Sequence, residues 1–309
     1  MVQVFIDGKE GTTGLRIFDR LAGRKDIALL TLKEEQRKER SARKEMLNSC
    51  DIAFLCLPDA AAQEAVALIE NERTRVIDAS TAHRTLPGWQ YGFPELFENG
   101  FAKVKNAPRV AVPGCHASGF IALIYPLIQA GFLEKDALLT CHSLTGYSGG
   151  GKKMIAEYEA DKRSRLLDAP RQYGITQQHK HLKEMQAVCG LQNAPVFCPI
   201  VAPFYSGMLV TVPLFAKQLK KGGIEDIRRL YAARYGGLLV RYSENSDEAG
   251  FLSSNARQGS DAMEISVFGN EERLLLTARY DNLGKGASGA AIECMNIMLG
   301  CDPLTGLEI

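Results

Sequence analysis

The first twenty-one residues constrain the fold more than any other stretch of this chain. Residues 2–6 are a short apolar run that stops at Asp7-Gly8, and residues 15–21 then repeat apolar side chains at helical spacing. Between them Gly8, Gly11 and Gly14 form a GxxGxxG pattern directly after the strand. Strand, glycine loop and helix make up the opening unit of a dinucleotide-binding fold. Glycine lets backbone N–H groups approach a pyrophosphate at the helix amino terminus, and the hydroxyls of Thr12 and Thr13 add donors there. The same glycines would also serve an ordinary strand-to-helix turn.

The alternation continues. An apolar run at 27–32 leads into a charged stretch at 33–45, and residues 51–58 read as a doubly buried strand ending at Pro58. Asp59 is placed to cap an alanine-rich helix reaching residue 70, and residues 75–78 give a fourth strand. This pattern predicts a Rossmann-type doubly wound parallel sheet. Beyond residue 115 the strand-like runs, at 138–144, 208–215, 238–242, 262–268 and 274–280, are mostly longer and irregularly connected. They predict a second, α+β domain with a mixed or antiparallel sheet. Residues 287–300, small at first and apolar throughout, have the character of a closely packed, nearly buried helix.

Cofactor preference in such a fold depends on the residues just beyond the second strand, where a ribose 2′-phosphate calls for positive groups. Lys33, Arg37, Lys38 and Arg40 lie there and favour NADP over NAD. Glu34 and Glu35 share the segment, so a solvated charged helix face is the alternative.

Charge excludes other classes of partner. Lysine plus arginine number 37 against 36 aspartate plus glutamate, a net charge of +1, so no global field favours nucleic acid or an anionic membrane surface. The eight cysteines, at 50, 56, 115, 141, 189, 198, 294 and 301, show neither a CxxC pair nor zinc-ligand spacing. They are expected to be reduced thiols, with no metal, inside a cell. A start without a basic, apolar leader, and the absence of any apolar run near the ~18–20 residues of a membrane span, make a cytoplasmic protein the expectation.

Most of these cysteines read as small core hydrophobes, but Cys115 differs by context. It follows Pro113-Gly114 at the end of an apolar run and precedes a helix-like apolar stretch. A thiol at such a junction sits in the positive field of a helix amino terminus, which favours the nucleophilic thiolate. The carboxyl end of a strand is also where α/β proteins bind ligands. Thioester chemistry needs a proton carrier, and only five histidines exist. His179 and His181 stand in a polar run, Gln177-Gln178-His179-Lys180-His181, and Glu184 would share a helical face with His181 and could orient an imidazole. A hydrated helix start is the alternative for either histidine alone. His116 is expected to be positioned by the turn, and His83 and His142 to line a cleft or be simply hydrogen-bonded. Gly146 to Lys153, dense in glycine, suits a cradle for phosphate or carboxylate, a mobile linker or a lid.

Five segments taken together, Gly8 to Gly14, Asp78 to Arg84, Pro113-Gly114-Cys115, His179-Lys180-His181 and Asp281 to Ala287, resemble the short type of N-acetyl-gamma-glutamyl-phosphate reductase of arginine biosynthesis. The similarity spans essentially the whole chain, within a superfamily that includes aspartate-semialdehyde dehydrogenase. It implies an NADP-binding domain of residues 1–114 completed by a carboxyl-terminal helix at 285–309, and a catalytic and oligomerisation domain at 115–284. It implies that Cys115 is the nucleophile and that His179 and His181 hold the acid/base function, His179 slightly favoured. Asn282 would reach the nicotinamide amide, and Ser80 would lie near the cofactor. The implied reaction is NADPH-dependent reduction of N-acetyl-gamma-glutamyl phosphate to the 5-semialdehyde through a cysteine thioester, by a homo-oligomer, dimer or tetramer. One departure is Val112, where many relatives carry asparagine. Aspartate-semialdehyde dehydrogenase chemistry is the runner-up, although its substrate's free amine calls for an acidic contact not located here. A nucleotide-sensing protein without catalysis would have no use for a thiol at a helix start.

Overall fold

A computed structural model describes residues 1–309, which divide into two compact units, Met1–Pro113 with Ala287–Leu307 and Gly114–Gly286 with the last two residues.

The first unit opens with β1 (Val2–Asp7), α1 (Thr12–Ala22) and β2 (Ile27–Leu30), followed by α2 (Arg40–Ser49), β3 (Ile52–Leu55), α3 (Asp59–Ala67) and β4 (Arg75–Asp78). It continues through β5 (Gln90–Tyr91), α4 (Gly100–Asn106) and β6 (Arg109–Ala111). All six strands are parallel, in the order β2-β1-β3-β4-β6-β5, so the chain reverses direction across the sheet between β1 and β3. Strand alternation explains why both faces are covered. Val4, Ile6, Ile52, Phe54 and Ile77 point to one side, against Ile17 and Leu21 of α1. Phe5, Ala53, Leu55 and Val76 point to the other, against Leu47 of α2 and Ala62 and Ala65 of α3. Asp59 is the first residue of α3, behind Pro58 as cap, so it does not cap the helix as expected. Its carboxylate instead accepts from Thr81 N, 2.9 Å, and from the Thr81 hydroxyl.

The second unit begins with α5 (Cys115–Gln129) and β7 (Thr140–Gly146), then α6 (Gly151–Glu159), β8 (Arg171–Gln172), α7 (His181–Cys189) and β9 (Val196–Ala202). It ends with β10 (Met208–Phe215), α8 (Ile224–Arg234), β11 (Val240–Tyr242), β12 (Met263–Gly269) and β13 (Arg273–Tyr280). These strands form a seven-stranded mixed sheet, β11-β12-β13-β10-β7-β9-β8. Helix α5 is apolar all round and almost wholly buried, lying against β10 and β13. Pro126 inside it has no N–H for the Ala122 carbonyl, and the hydroxyl of Tyr235, from the end of α8, donates to that carbonyl at 2.7 Å. On the opposite face Val196, Phe215 and Leu275 stand exposed.

The chain then returns to the first unit. A π turn, Gly284–Ser288, leads into α9 (Gly289–Leu299), whose Ala291, Ile292 and Met295 are buried in the same core as β1, β3 and β4.

Candidate active site

In the first unit the glycine loop is built by exclusion. Gly8 has φ +88°, and a Cβ there would stand 2.3 Å from the Cys56 carbonyl oxygen, at the end of β3. A Cβ on Gly14 would stand 2.4 Å from the Gly8 carbonyl oxygen, so helix α1 abuts the turn directly. Gly11 is different. It caps α1 with φ −69° and ψ 160°, and its Cβ would meet nothing closer than 3.4 Å. No protein atom demands glycine there, and a side chain would occupy the approach to the first turn of α1 with Thr12 and Thr13. That turn carries no acidic residue and its cap supplies no side-chain acceptor, which leaves its N–H groups suited to an anion.

Beside the loop lies a cavity of about 520 Å³ at the carboxyl ends of β1 and β2, walled by Asp7, Gly8, Thr31, Arg37, Lys38 and Arg43 among others. Its place, where the sheet's strand order reverses, is where open α/β sheets bind nucleotides, and the residues present fit such a group. Arg37 and Lys38 face the cavity, with Arg37 paired to Glu10 at 3.1 Å. Lys33 is exposed and outside the cavity wall, and Arg40 is exposed, 3.6 Å from Glu64. Sequence reasoning missed Arg43. Its buried guanidinium donates twice to Asp7 Oδ2, both at 3.0 Å, and once to Glu64, so the cavity floor holds its own ion pair. Burial pushes the Asp7 carboxyl up from its ordinary value despite the Arg43 contact. Ser80 is buried, and its hydroxyl donates to Asp78 Oδ2 at 2.7 Å, the same oxygen that meets His83 Nδ1 at 2.6 Å. His83 stacks on Trp89, with ring centroids 4.1 Å apart.

In the second unit Cys115 is the first residue of α5, half-buried, at the positive end of the helix. The N–H of Gly114 donates to Glu184 Oε1 at 2.8 Å, so the acidic residue braces the turn that carries the thiol. Tyr280 accepts from Gly119 N at 3.0 Å and donates to the Cys115 carbonyl at 2.5 Å. Gly286 passes over the site so closely that its Cβ would lie 3.1 Å from Cys115 Cβ. That passage is held by Asp281, whose carboxylate accepts from Ser206 Oγ at 2.8 Å, Gly259 N at 2.6 Å and Leu283 N at 2.7 Å. Asn282 braces the same turn, accepting from Gly207 N at 2.9 Å and donating to Ser148 Oγ at 3.0 Å, which leaves one Nδ2 hydrogen for another acceptor.

Three imidazoles gather beside the thiol's helix. His179 and His181 have ring centroids 4.8 Å apart, and His116 lies 5.8 and 5.6 Å from them. His179 Nδ1 accepts from His181 N at 3.3 Å, so its neutral ring carries the proton on Nε2. Burial and the charge of Lys180 lower the pKa of His179. Burial, with His179 and Lys180 adding to it, pushes His116 down to about 3. His142, on β7, is exposed. The Gly146 to Lys153 segment is neither linker nor loose loop. Tyr147 N and Ser148 N donate to the carbonyls of Phe204 and Tyr205, at 2.9 and 3.0 Å, before α6 begins.

Known proteins give this arrangement a place. The family model described as semialdehyde dehydrogenase, NAD binding domain, matches residues 30–104, and the one described as semialdehyde dehydrogenase, dimerisation domain, matches 115–282. N-acetyl-gamma-glutamyl-phosphate reductase of Sinorhizobium medicae is 46% identical over 305 residues, covering 96% of this chain and 98% of its own. N-acetyl-gamma-glutamyl-phosphate reductase 2 of Pseudomonas putida is 44% identical, covering 96% of each chain. In fold, aspartate semialdehyde dehydrogenase II of Vibrio cholerae superposes with TM-score 0.71 at 14% identity, over 97% of this chain and 98% of that one. With a parallel nucleotide-type sheet, a mixed sheet backing the helix that carries the thiol, and 46% identity over nearly the full length, the chain belongs to the N-acetyl-gamma-glutamyl-phosphate reductase family of semialdehyde dehydrogenases.

Proposed function

We propose that this chain reduces N-acetyl-gamma-glutamyl phosphate to N-acetylglutamate 5-semialdehyde, with NADPH as reductant and release of phosphate, in arginine biosynthesis. The observation that carries the reading is Cys115 at the first turn of α5, with the His179–His181 pair on the neighbouring helix start. The Cys115 thiolate attacks the acyl carbon, the C–O bond to phosphate breaks, and phosphate leaves behind a thioester. NADPH, when bound, supplies the hydride that reduces the thioester carbon. One of the two histidines gives a proton to the resulting alkoxide and takes it back as the C–S bond breaks, so that aldehyde departs and the thiolate is restored. His179 is the better placed of the two, since it is partly exposed while His181 is buried.

Residues Gly8, Gly11, Thr12, Thr13 and Gly14 would hold the pyrophosphate, and Arg37 with Lys38 in the cavity wall supports a 2′-phosphate and thus NADP. Ser80 would offer the cofactor its backbone carbonyl, its N–H and hydroxyl both being committed to Asp78, and Asn282 its remaining Nδ2 hydrogen. Lys33 would act only at long range. The residues 1–114 with 285–309 form the cofactor domain in this reading, and 115–284 the catalytic and oligomerisation domain. Self-association through the open face of the mixed sheet, at Val196, Phe215 and Leu275, gives a homo-oligomer working in the cytoplasm. No helix is long and apolar enough to cross a membrane.

Supplying N-acetylglutamate semialdehyde, phosphate and NADP, with aspartate semialdehyde in parallel, tests the reading. Reduction of NADP with the acetylated aldehyde alone is expected. A preference for aspartate semialdehyde, or activity with neither, overturns it.

A further inference from the structure

In an α-helix the carbonyl of each residue is the acceptor for the N–H four residues on. In α5 the pair that begins on the nucleophile is Cys115 and Gly119, and one phenol from another element meets both of its ends. The Tyr280 hydroxyl donates to the Cys115 carbonyl oxygen at 2.5 Å and accepts from Gly119 N at 3.0 Å. Tyr280 is fully buried at the end of β13, opposite Met208 of β10, and Asp281 and Asn282 follow it directly.

Gly119 makes the room for this bridge, since a Cβ there would stand 2.7 Å from the Tyr280 oxygen. The helix therefore carries a poor helix former in its second turn. Its cap, Gly114, has no side chain to accept from the first N–H groups, and no acidic residue lies in the first turn. Those N–H groups, with the helix dipole behind them, favour an anion on Cys115 only while the turn keeps its helical shape. Two other phenols donate to carbonyls of α5, Tyr231 to Leu123 and Tyr235 to Ala122, but they act about two turns beyond the thiol.

We propose that Tyr280 is a positioning residue for the nucleophile: by bridging the Cys115 carbonyl and the Gly119 N–H it holds the first turn of α5 in the shape that stabilises the Cys115 thiolate. The same bridge ties that turn to the strand leading into Asp281 and Asn282. No proton is transferred. Burial pushes the Tyr280 phenol well above its ordinary value, so it keeps its hydrogen while a thiol titrates. The inference rests on Cys115 being the reactive thiol of the proposed function, but its test needs no substrate. The other titratable groups about this turn are His116 on α5, Cys141 on β7, Tyr173 after β8, Lys285 in the π turn, and Lys180, His179, His181 and Glu184 at the start of α7. The variants below leave all of them in place.

The pH dependence of Cys115 alkylation by iodoacetamide, followed in the full-length protein with Cys115→Ser as blank, gives the thiol pKa, and thermal unfolding gives the stability of the same samples. Tyr280→Phe keeps the ring and removes the bridge, leaving the carbonyl and N–H to bond each other. Tyr235→Phe removes a phenol from the same helix far from the thiol and is the structural control. Both are expected to lower Tm by a few degrees. Tyr280→Phe alone should raise the thiol pKa, by about half a unit, which slows alkylation at pH 6.5 about threefold. An unchanged thiol pKa in Tyr280→Phe overturns the proposal, as does an equal rise in Tyr235→Phe. A Tyr280→Phe protein that fails to fold while Tyr235→Phe folds makes the bridge a requirement of the fold and overturns the positioning role too. The expected thiol behaviour with no activity toward either aldehyde would instead overturn the proposed reaction alone.

Discussion

Exchanging single glycines of the first loop for alanine separates what the fold requires from what the ligand requires. At Gly8 the added methyl meets two penalties. Its φ of +88° is a left-handed backbone conformation, costing a non-glycine residue about 1–2 kcal/mol. Its Cβ would be 2.3 Å from the Cys56 carbonyl oxygen, and moving β3 or the turn to relieve this adds about 1–3 kcal/mol. A loss of roughly 3 kcal/mol corresponds to a fall in Tm of about 5–10 °C. At Gly11 the backbone is ordinary and the nearest atom to a Cβ is 3.4 Å away. Alanine is the poorer cap by about 0.5–1 kcal/mol, but it loses less chain entropy on folding by about the same amount. Stability should therefore move by less than about 0.5 kcal/mol, while the methyl stands where a pyrophosphate must approach. Thermal unfolding with and without NADPH, together with fluorescence titration, reads both. Gly8→Ala should lower Tm, and Gly11→Ala should keep Tm while weakening NADPH binding at least about tenfold, or ~1.4 kcal/mol. The reasoning is refuted if Gly11→Ala binds NADPH like the parent, or if Gly8→Ala melts within a degree of it.

Cys115→Ser should retain NADPH binding and lose aldehyde oxidation with phosphate by more than about a thousandfold, measured as NADPH absorbance; substantial remaining turnover excludes the thioester. His179→Asn should lower kcat by about 10²–10⁴-fold and abolish the limb of the pH profile that reports the acid/base group, with His181→Asn milder; the reverse order in steady-state kinetics would transfer the role to His181. Stability should also depend on His116. Its pKa falls from 6.5 to about 3 on folding, so the unfolded ring binds a proton that the folded one refuses. Stability is thus full above pH 6.5 and declines by about 1.4 kcal/mol per unit below it, until the folded ring protonates near 3. His179, lowered in the same direction, adds to the decline. Denaturant midpoints at pH 7.5 and 5.5 should differ for the parent and differ less for His116→Gln; equal slopes would refute the assignment.

How far the sequence foretells the molecule depends on how local each signal is. β4 and β10 occupy the predicted residues, because an apolar strand between turn signals is a short-range pattern. The parallel sheet is legible from the spacing of Gly8, Gly11 and Gly14 and from the alternation after it. By contrast β9, with Pro199 inside it, carries no clean strand pattern, and it is a strand because β7 pairs with it along seven residues. Arg43 sits among surface-like charges in the sequence, and nothing local marks it as buried. Its burial depends on Asp7, 36 residues earlier in the chain. The same holds within the site. Cys115 is readable as a thiol at a helix start, but the sequence assigns Glu184 to an imidazole, whereas the hydrogen bond it makes to Gly114 N spans 70 residues. Ser143 and Tyr173, which meet the two ring nitrogens of His116 at 2.7 Å each, have no sequence signal at all, since a lone serine in a strand and a tyrosine after one are ordinary.

The return of α9 to the first unit also has a temporal side. On the ribosome the six parallel strands emerge within the first 113 residues, yet one face of that sheet lacks Ala291, Ile292 and Met295 until residues 289–299 leave the exit tunnel. During those intervening 170 or so residues of synthesis the nascent sheet keeps an apolar face open to water and to chaperones. A chain that stalls or is cut anywhere in its second unit therefore leaves the first unit without α9. The core beneath the glycine loop is thus completed last although the glycines are made first.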